Sequence, residues 1–164
     1  VVGRLEPVKR TDLAIRAMAR VQPGIRLVIV GTGSQAEALA ALAATCGVSD
    51  RVTFAGPAAG DELVTLYAGA LAVLYAPFDE DYGYVTLEAF LSGKPVITAI
   101  DSGGTLEFVR DGENGLVRAP DPAAIGSAVN TLADHRELAQ RLGHAGLAVA
   151  RTVTWDGVVE QLLG

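Results

Sequence analysis

A single cysteine, Cys46, stands among 164 residues. No internal disulfide framework is possible, and a reducing, cytoplasmic setting is the expectation. The two histidines, His135 and His144, lie far from Cys46 in sequence, which leaves no cluster with zinc-ligand spacing. No metal site is therefore expected. No apolar run approaches the roughly 18 residues of a membrane span, and no basic segment precedes an apolar one as in a signal peptide. Peripheral membrane association of a longer parent protein is compatible with both absences. Positive charge is scarce as well: 13 Lys and Arg face 19 Asp and Glu, for a net charge of −6. That balance argues against nucleic acid or an anionic membrane as the main partner, although a small anionic ligand can bind where cations gather locally. The chain also lacks an initiator methionine and opens inside the apolar pair Val1-Val2, so a fragment cut at a strand is the expectation.

Half of the residues are hydrophobic and a fifth are charged, a globular composition. Residues 1–164 have the length of one domain with a proper core. Short apolar strands alternate with helical patterns along the chain. Val1 to Leu5 reads as a strand end entering a loop through Arg10, and Thr11 or Asp12 is placed to cap the next helix. Arg26 to Val30 is a strand, Gln35 to Cys46 a helix, Arg51 to Ala55 a strand, and Asp61 caps a helix to about Ala68. Leu71 to Tyr75 is a further strand leading into a loop with Asp79, Glu80 and Asp81. A helix from Gly83 to Gly93 and a strand from Val96 to Ile100 follow. Next come a short helix, Leu106 to Arg110, a turn at 111–115 and a last short strand, Leu116-Val117. Pro120-Asp121-Pro122 starts a helix through about Ala133, more helix follows to roughly Ala150, and an amphipathic segment spans Trp155 to Gly164. The pattern predicts an α/β, Rossmann-like three-layer domain: a parallel sheet of about six strands with helices on both faces.

In such a fold ligands meet the carboxyl edge of the sheet, so the loops after the strands hold the candidates. Arg4, Lys9 and Arg10 flank the first loop and can neutralise a diphosphate, or serve only as solvated charge. Glu80 lies before the helix that starts near Gly83, and Glu88 lies inside that helix, leaning back towards its start. The free amides of Gly83, Tyr84 and Val85 gather there with the positive end of the helix dipole. Two carboxylates so placed can accept hydrogen bonds from sugar hydroxyls, or merely favour a helix start and solvent. Gly31-x-Gly33-x-x-Ala36 nominally matches the dinucleotide fingerprint, but the acid that should end the next strand is missing, because Asp50 precedes that strand. A plain tight turn is the better reading. Gly103-Gly104-Thr105 with Glu107 is a second small-residue turn, for an anion, a hydroxyl or the turn alone. Tyr82 and Tyr84 can stack on a sugar or pack on the loop, and packing is expected for one of them.

In order, Gly3-Arg4-Leu5 with Lys9, Val30-Gly31-x-Gly33, Val52-x-Phe54-x-Gly56, Glu80 with Glu88, Gly93-Lys94-Pro95-Val96-Ile97 and Gly103-Gly104-x-x-Glu107 with Gly112 and Asn114-Gly115 make a specific set. This set resembles the C-terminal, donor-binding half of a GT-B glycosyltransferase of family 4, the glycosyl transferases group 1. Glu80 and Glu88 enclose seven residues, as in that family's Glu-x7-Glu motif. The resemblance implies that Arg4 and Lys9 hold the diphosphate of a UDP- or GDP-sugar and that Glu88 binds ribose hydroxyls. It places Glu80 near the transferred sugar, the amides of Gly83, Tyr84 and Val85 on phosphate or sugar, and the base near Phe54, Gly56 and Pro57. Arg4, Lys9 and Glu80 become the catalytic candidates. It implies retention of anomeric configuration, no metal or other cofactor, and an N-terminal acceptor domain beyond this chain. The chain departs from the family in two places. Asp81-Tyr82-Gly83 stands where Gly-Phe-Gly is usual, and Arg10 replaces a usual glycine, where it can touch phosphate or face solvent. The alternatives are a noncatalytic nucleotide-binding module and, less well supported, an NAD(P)-dependent oxidoreductase domain.

Overall fold

The computed structural model describes residues 1–153. The expected segment from Trp155 to Gly164 lies outside them. Strands β1 (Leu27–Val30), β2 (Val52–Gly56), β3 (Val73–Leu74), β4 (Val96–Ala99) and β5 (Gly115–Arg118) alternate with helices along the chain. The helices are α1 (Thr11–Met18), α2 (Ala36–Thr45), α3 (Gly60–Gly69), α4 (Tyr84–Leu91), α5 (Thr105–Phe108), α6 (Pro122–Asp134) and α7 (Arg136–Thr152). Every strand pairing is parallel: β1 with β2, and β4 between β3 and β5. The described residues thus carry five strands where about six were expected. Val1-Val2 supplies only a bridge, Val2 opposite Val30. Backbone bonds still hold it, with Val30 N–H donating to Val1 O at 2.9 Å and Gly3 N–H to Val30 O at 3.0 Å.

All four residues of β4 are buried, as a central parallel strand covered on both faces requires. One apolar cluster spans both ladders, joining Ile29, Leu74, Ile97 and Leu116 to Ile15 of α1 and Ile125 of α6. Successive residues of a strand face opposite ways. Leu74 and Ala76 therefore enter that cluster, while Val73 and Tyr75 enter a second one with Tyr67 of α3 and Phe90 of α4. This alternation delivers Tyr75 to the face where α3 and α4 pack.

Helix starts follow the expected chemistry in one case and depart from it in two. Asp121 caps α6, its carboxylate accepting from Ala123 N–H at 2.9 Å and Ala124 N–H at 3.0 Å. At α1 the cap is Arg10, in a left-handed conformation with φ 47°. Thr11 is buried within the first turn, and Asp12 pairs with Arg16 at 3.7 Å. Asp61 lies in the first turn of α3, not at its cap.

Candidate functional site

The loops after Val2, β3 and β4 converge at the carboxyl edge of the sheet, and ion pairs hold them together. Lys9 Nζ sits against Glu80 Oε2, with both side chains 17% exposed. The Tyr75 hydroxyl donates to the same Glu80 oxygen at 2.7 Å, and Lys9 Nζ lies 5.9 Å from the Tyr75 ring centre. Burial works to raise the Glu80 pKa, but the Lys9 ammonium, the Tyr75 hydroxyl and the Asp81 amide outweigh it and hold the carboxyl below its ordinary 4.5. Burial and the bond to Glu80 in turn push the Tyr75 hydroxyl well above its ordinary value.

Arg10 neither reaches outward for phosphate nor faces solvent, the two roles expected of it. Its guanidinium forks onto Asp101, with Nη1 to Oδ2 at 2.9 Å and Nη2 to Oδ1 at 2.7 Å. It also donates to Ala76 O at 2.9 Å and to Pro77 O at 2.6 Å. Phe78 N–H donates to Val8 O and Asp79 N–H to Asp101 O, at 2.8 and 3.0 Å. The acidic loop is therefore tied to both of its neighbours. The hydrogen bonds from Arg10 hold the Asp101 carboxyl below its ordinary 3.8.

A depressed carboxyl contributes stability above its unfolded pKa and loses it as pH falls through the folded value. These carboxyl contributions are expected to be level near neutrality and to be lost as pH falls below about 4.5. Asp101→Asn should flatten part of that acid slope, which urea denaturation at a series of pH values measures.

The turn at 103–104 belongs to this scaffold. Gly104 N–H donates to Glu80 O at 2.6 Å, and a Cβ at Gly103 would lie 2.5 Å from the same carbonyl oxygen. Its glycines let two backbones touch, so of the readings open for this turn the structural one accounts for it. Tyr82 packs against Phe108, ring centres 5.1 Å apart, and against Tyr84 at 4.7 Å, while Tyr84 itself is 66% exposed.

Glu88 projects from α4, and its Oε2 accepts from the Tyr67 hydroxyl at 2.8 Å. The Glu88 carboxylate also helps to raise Tyr75, so the Tyr67–Glu88 and Tyr75–Glu80 pairs are neighbours. At the start of α4 Gly83 has φ 77°, and Thr86 N–H returns to Gly83 O at 2.8 Å. Among the described residues, the amides of Gly83, Tyr84 and Val85 donate to no protein group. They stand at the positive end of the α4 dipole.

Arg4 is exposed and lines a small cleft with Lys9, Arg10 and Tyr75. Arg4, Lys9, Glu80 and Tyr75 thus form one constellation, with Glu88 and Tyr67 beside it. Phe54, Gly56 and Pro57 end β2 on the other ladder, and no hydrogen bond joins them to the carboxylates. Phe54 is 37% exposed there. The β1–α2 turn is filled by the chain itself. A Cβ at Gly33 would lie 2.5 Å from Leu5 O, which accepts from Gln35 N–H at 2.9 Å. The glycines of the nominal dinucleotide fingerprint serve this close packing, as the plain-turn reading expects. A larger cavity, about 670 Å³, lies beneath Val1 between β1 and β3 and includes none of Arg4, Lys9, Glu80 or Glu88 in its lining.

Residues 1–148 match the family model described as glycosyl transferases group 1. D-inositol 3-phosphate glycosyltransferase of Acidothermus cellulolyticus is 42% identical over 99% of this chain, which covers 39% of that protein. The enzyme of the same name from Nocardia farcinica is 39% identical, with 99% of this chain and 38% of the relative covered. This chain thus spans well under half the length of the curated relatives it matches. Among solved structures, Anabaena Alr3699/HepE in complex with UDP-glucose superposes with a TM-score of 0.87 at 27% identity, covering 98% of this chain and 46% of that one. The catalytic domain of cholesterol-α-glucosyltransferase from Helicobacter pylori shares the fold, with a TM-score of 0.83 at 22% identity over 94% of this chain and 96% of that one.

Proposed function

Because this chain belongs to the glycosyl transferases group 1 family, we propose that it is a donor-binding domain. It holds a nucleoside-diphosphate sugar, with UDP as the nucleotide, while the glycosyl group passes to an acceptor with retention and without a metal. The observation that carries the reading is the constellation of Lys9, Glu80 and the unpartnered amides of Gly83, Tyr84 and Val85 at one sheet edge. Alr3699/HepE, solved with UDP-glucose, supports the choice of UDP, with GDP as the alternative.

The chemistry follows from where charge develops. Departure of a nucleoside diphosphate leaves negative charge on its terminal phosphate, and fixed cations and amides stabilise that charge with little reorganisation. In this reading Lys9 supplies the fixed cation, Arg4 a second, mobile one, and the start of α4 supplies N–H donors. Glu88 accepts from ribose hydroxyls, the base lies near Phe54, Gly56 and Pro57, and Glu80 faces the sugar. Lys9 then shares its charge between Glu80 and phosphate, so the carboxylate stays ionised beside an anionic ligand. An acceptor domain outside this chain completes the cleft and brings the attacking hydroxyl.

Thermal denaturation of the intact protein with a nucleotide panel tests this. UDP or UDP-glucose near 100 times its Kd should stabilise the fold by about 2.7 kcal/mol and raise Tm by a few degrees. A rise with GDP alone would change the nucleotide. A rise with NAD(P) alone, or with no nucleotide at all, would remove the donor reading. Binding without turnover against a panel of acceptors would leave a noncatalytic nucleotide-binding module.

A further inference from the structure

Two buried tyrosines meet the two carboxylates of the site, one each. Tyr67 is the buried side chain of α3, 4% exposed, and its hydroxyl reaches Glu88 on α4 at 2.8 Å. Tyr75 follows β3, is also 4% exposed, and its hydroxyl reaches Glu80 at 2.7 Å. Both rings sit in one apolar cluster with Val73, Phe90 and Val96, so neither phenol has freedom to swing. Burial alone would be served by phenylalanine at either position. A buried hydroxyl is retained at a cost unless it finds an acceptor, and here each finds a carboxylate of the candidate site.

A carboxylate holding a fixed neutral donor on one oxygen has its other oxygen aimed, and it keeps that aim before any ligand arrives. Glu88 is exposed, and Tyr67 is the one side chain among the described residues that bonds its carboxylate. Without that bond it would sample several rotamers, and ligand binding would bear the cost of ordering it. Glu80 is held by Lys9 as well, and both bonds fall on the same carboxylate oxygen, Oε2.

We propose that Tyr67 and Tyr75 are positioning residues that orient the two carboxylates for different halves of one ligand: Tyr67 sets Glu88 for the nucleoside, and Tyr75 sets Glu80 for the sugar. The proposal rests on the donor-site reading above. Neither tyrosine touches the ligand; each acts through its carboxylate.

Tyr67→Phe and Tyr75→Phe keep the rings and remove only the hydroxyls. Titration calorimetry of the intact protein with UDP and with UDP-glucose separates the two roles. Tyr67→Phe should weaken both ligands by a similar factor, about 10-fold. Tyr75→Phe should weaken UDP-glucose by about 10-fold and leave UDP within about twofold. Adding Tyr75→Phe to a Glu80→Gln variant should have little further effect, because the route runs through Glu80. A merely structural role would move Tm, weaken both ligands alike in Tyr75→Phe, and leave the effect of Tyr67→Phe undiminished when it is added to Glu88→Gln. Equal weakening of UDP and UDP-glucose by Tyr75→Phe, or no change with either variant while the wild type binds both, would overturn the proposal alone. A wild type that binds neither ligand would overturn the donor-site reading and the proposal with it.

Discussion

Replacing Lys9 with alanine is expected to lower kcat/KM for glycosyl transfer by the intact protein about 100- to 1,000-fold, the loss typical of removing one preorganised donor to developing charge. Two effects act together. In the proposed donor site the cation beside the leaving diphosphate is lost, and Glu80 loses its counter-charge while only 17% of its side chain meets solvent. Breaking a largely buried pair from one side costs more than the pair contributes, because the remaining charge is stranded. The bond from Tyr75 cannot compensate, since a neutral hydroxyl cancels no charge. Glu80 should then titrate higher, and donor affinity should begin to fall at a higher pH than in the wild type. Steady-state kinetics at several pH values would show both effects. A Lys9→Ala enzyme within about fivefold of the wild type would place the charge stabilisation elsewhere.

The second large effect concerns the scaffold. Arg10→Ala removes four hydrogen bonds, two of them to Asp101, and strands Asp101 and Ala76 O, while Pro77 O keeps its bond from the Ser102 hydroxyl. The Arg10 and Asp101 side chains are 19% and 34% exposed, so solvent takes up part of the loss. A destabilisation of about 2–3 kcal/mol is expected, seen as a drop in Tm of roughly 4–12 °C. The backbone adds a sharper expectation. Arg10 has φ 47°, which costs any residue with a Cβ roughly 1 kcal/mol and glycine almost nothing. Arg10→Gly should therefore lie above Arg10→Ala in stability, although both lose the same side-chain bonds. Arg10→Lys should resemble Arg10→Ala, because an ammonium cannot reproduce the fork. Melting curves of the three variants give the order directly, and Arg10→Ala at or above Arg10→Gly would contradict it.

What could be read without coordinates follows the range over which each cause acts. Strand and helix order was legible because apolar spacing is local, and the carboxylate pair was legible because Glu80 and Glu88 lie on one loop and the helix it enters. Lys9 was legible as a cation for an anionic ligand, but not as the partner of Glu80, 71 residues away. Arg10 was misread for the same reason: Asp101 stands 91 residues on, and the loop after Val2 meets the loop after β4 only in the folded chain. The tyrosines were hidden in a different way. Tyr67 and Tyr75 occur where apolar side chains are expected, on a helix and after a strand, and their rings do fill core positions. Nothing in their spacing says that the hydroxyls emerge beside carboxylates. The sixth strand was overcounted because Val1-Val2 has strand composition but only one bridging pair.

Amide hydrogen exchange of the intact protein, with and without saturating UDP-glucose, tests the central claim most directly. Donor binding at this edge predicts protection of the Gly83, Tyr84 and Val85 amides, which donate to no protein group in the free structure, together with slower exchange in the loop from Arg4 to Arg10. Protection confined to the turn from Gly31 to Ala36, or ligand binding that leaves the start of α4 unprotected, would contradict it.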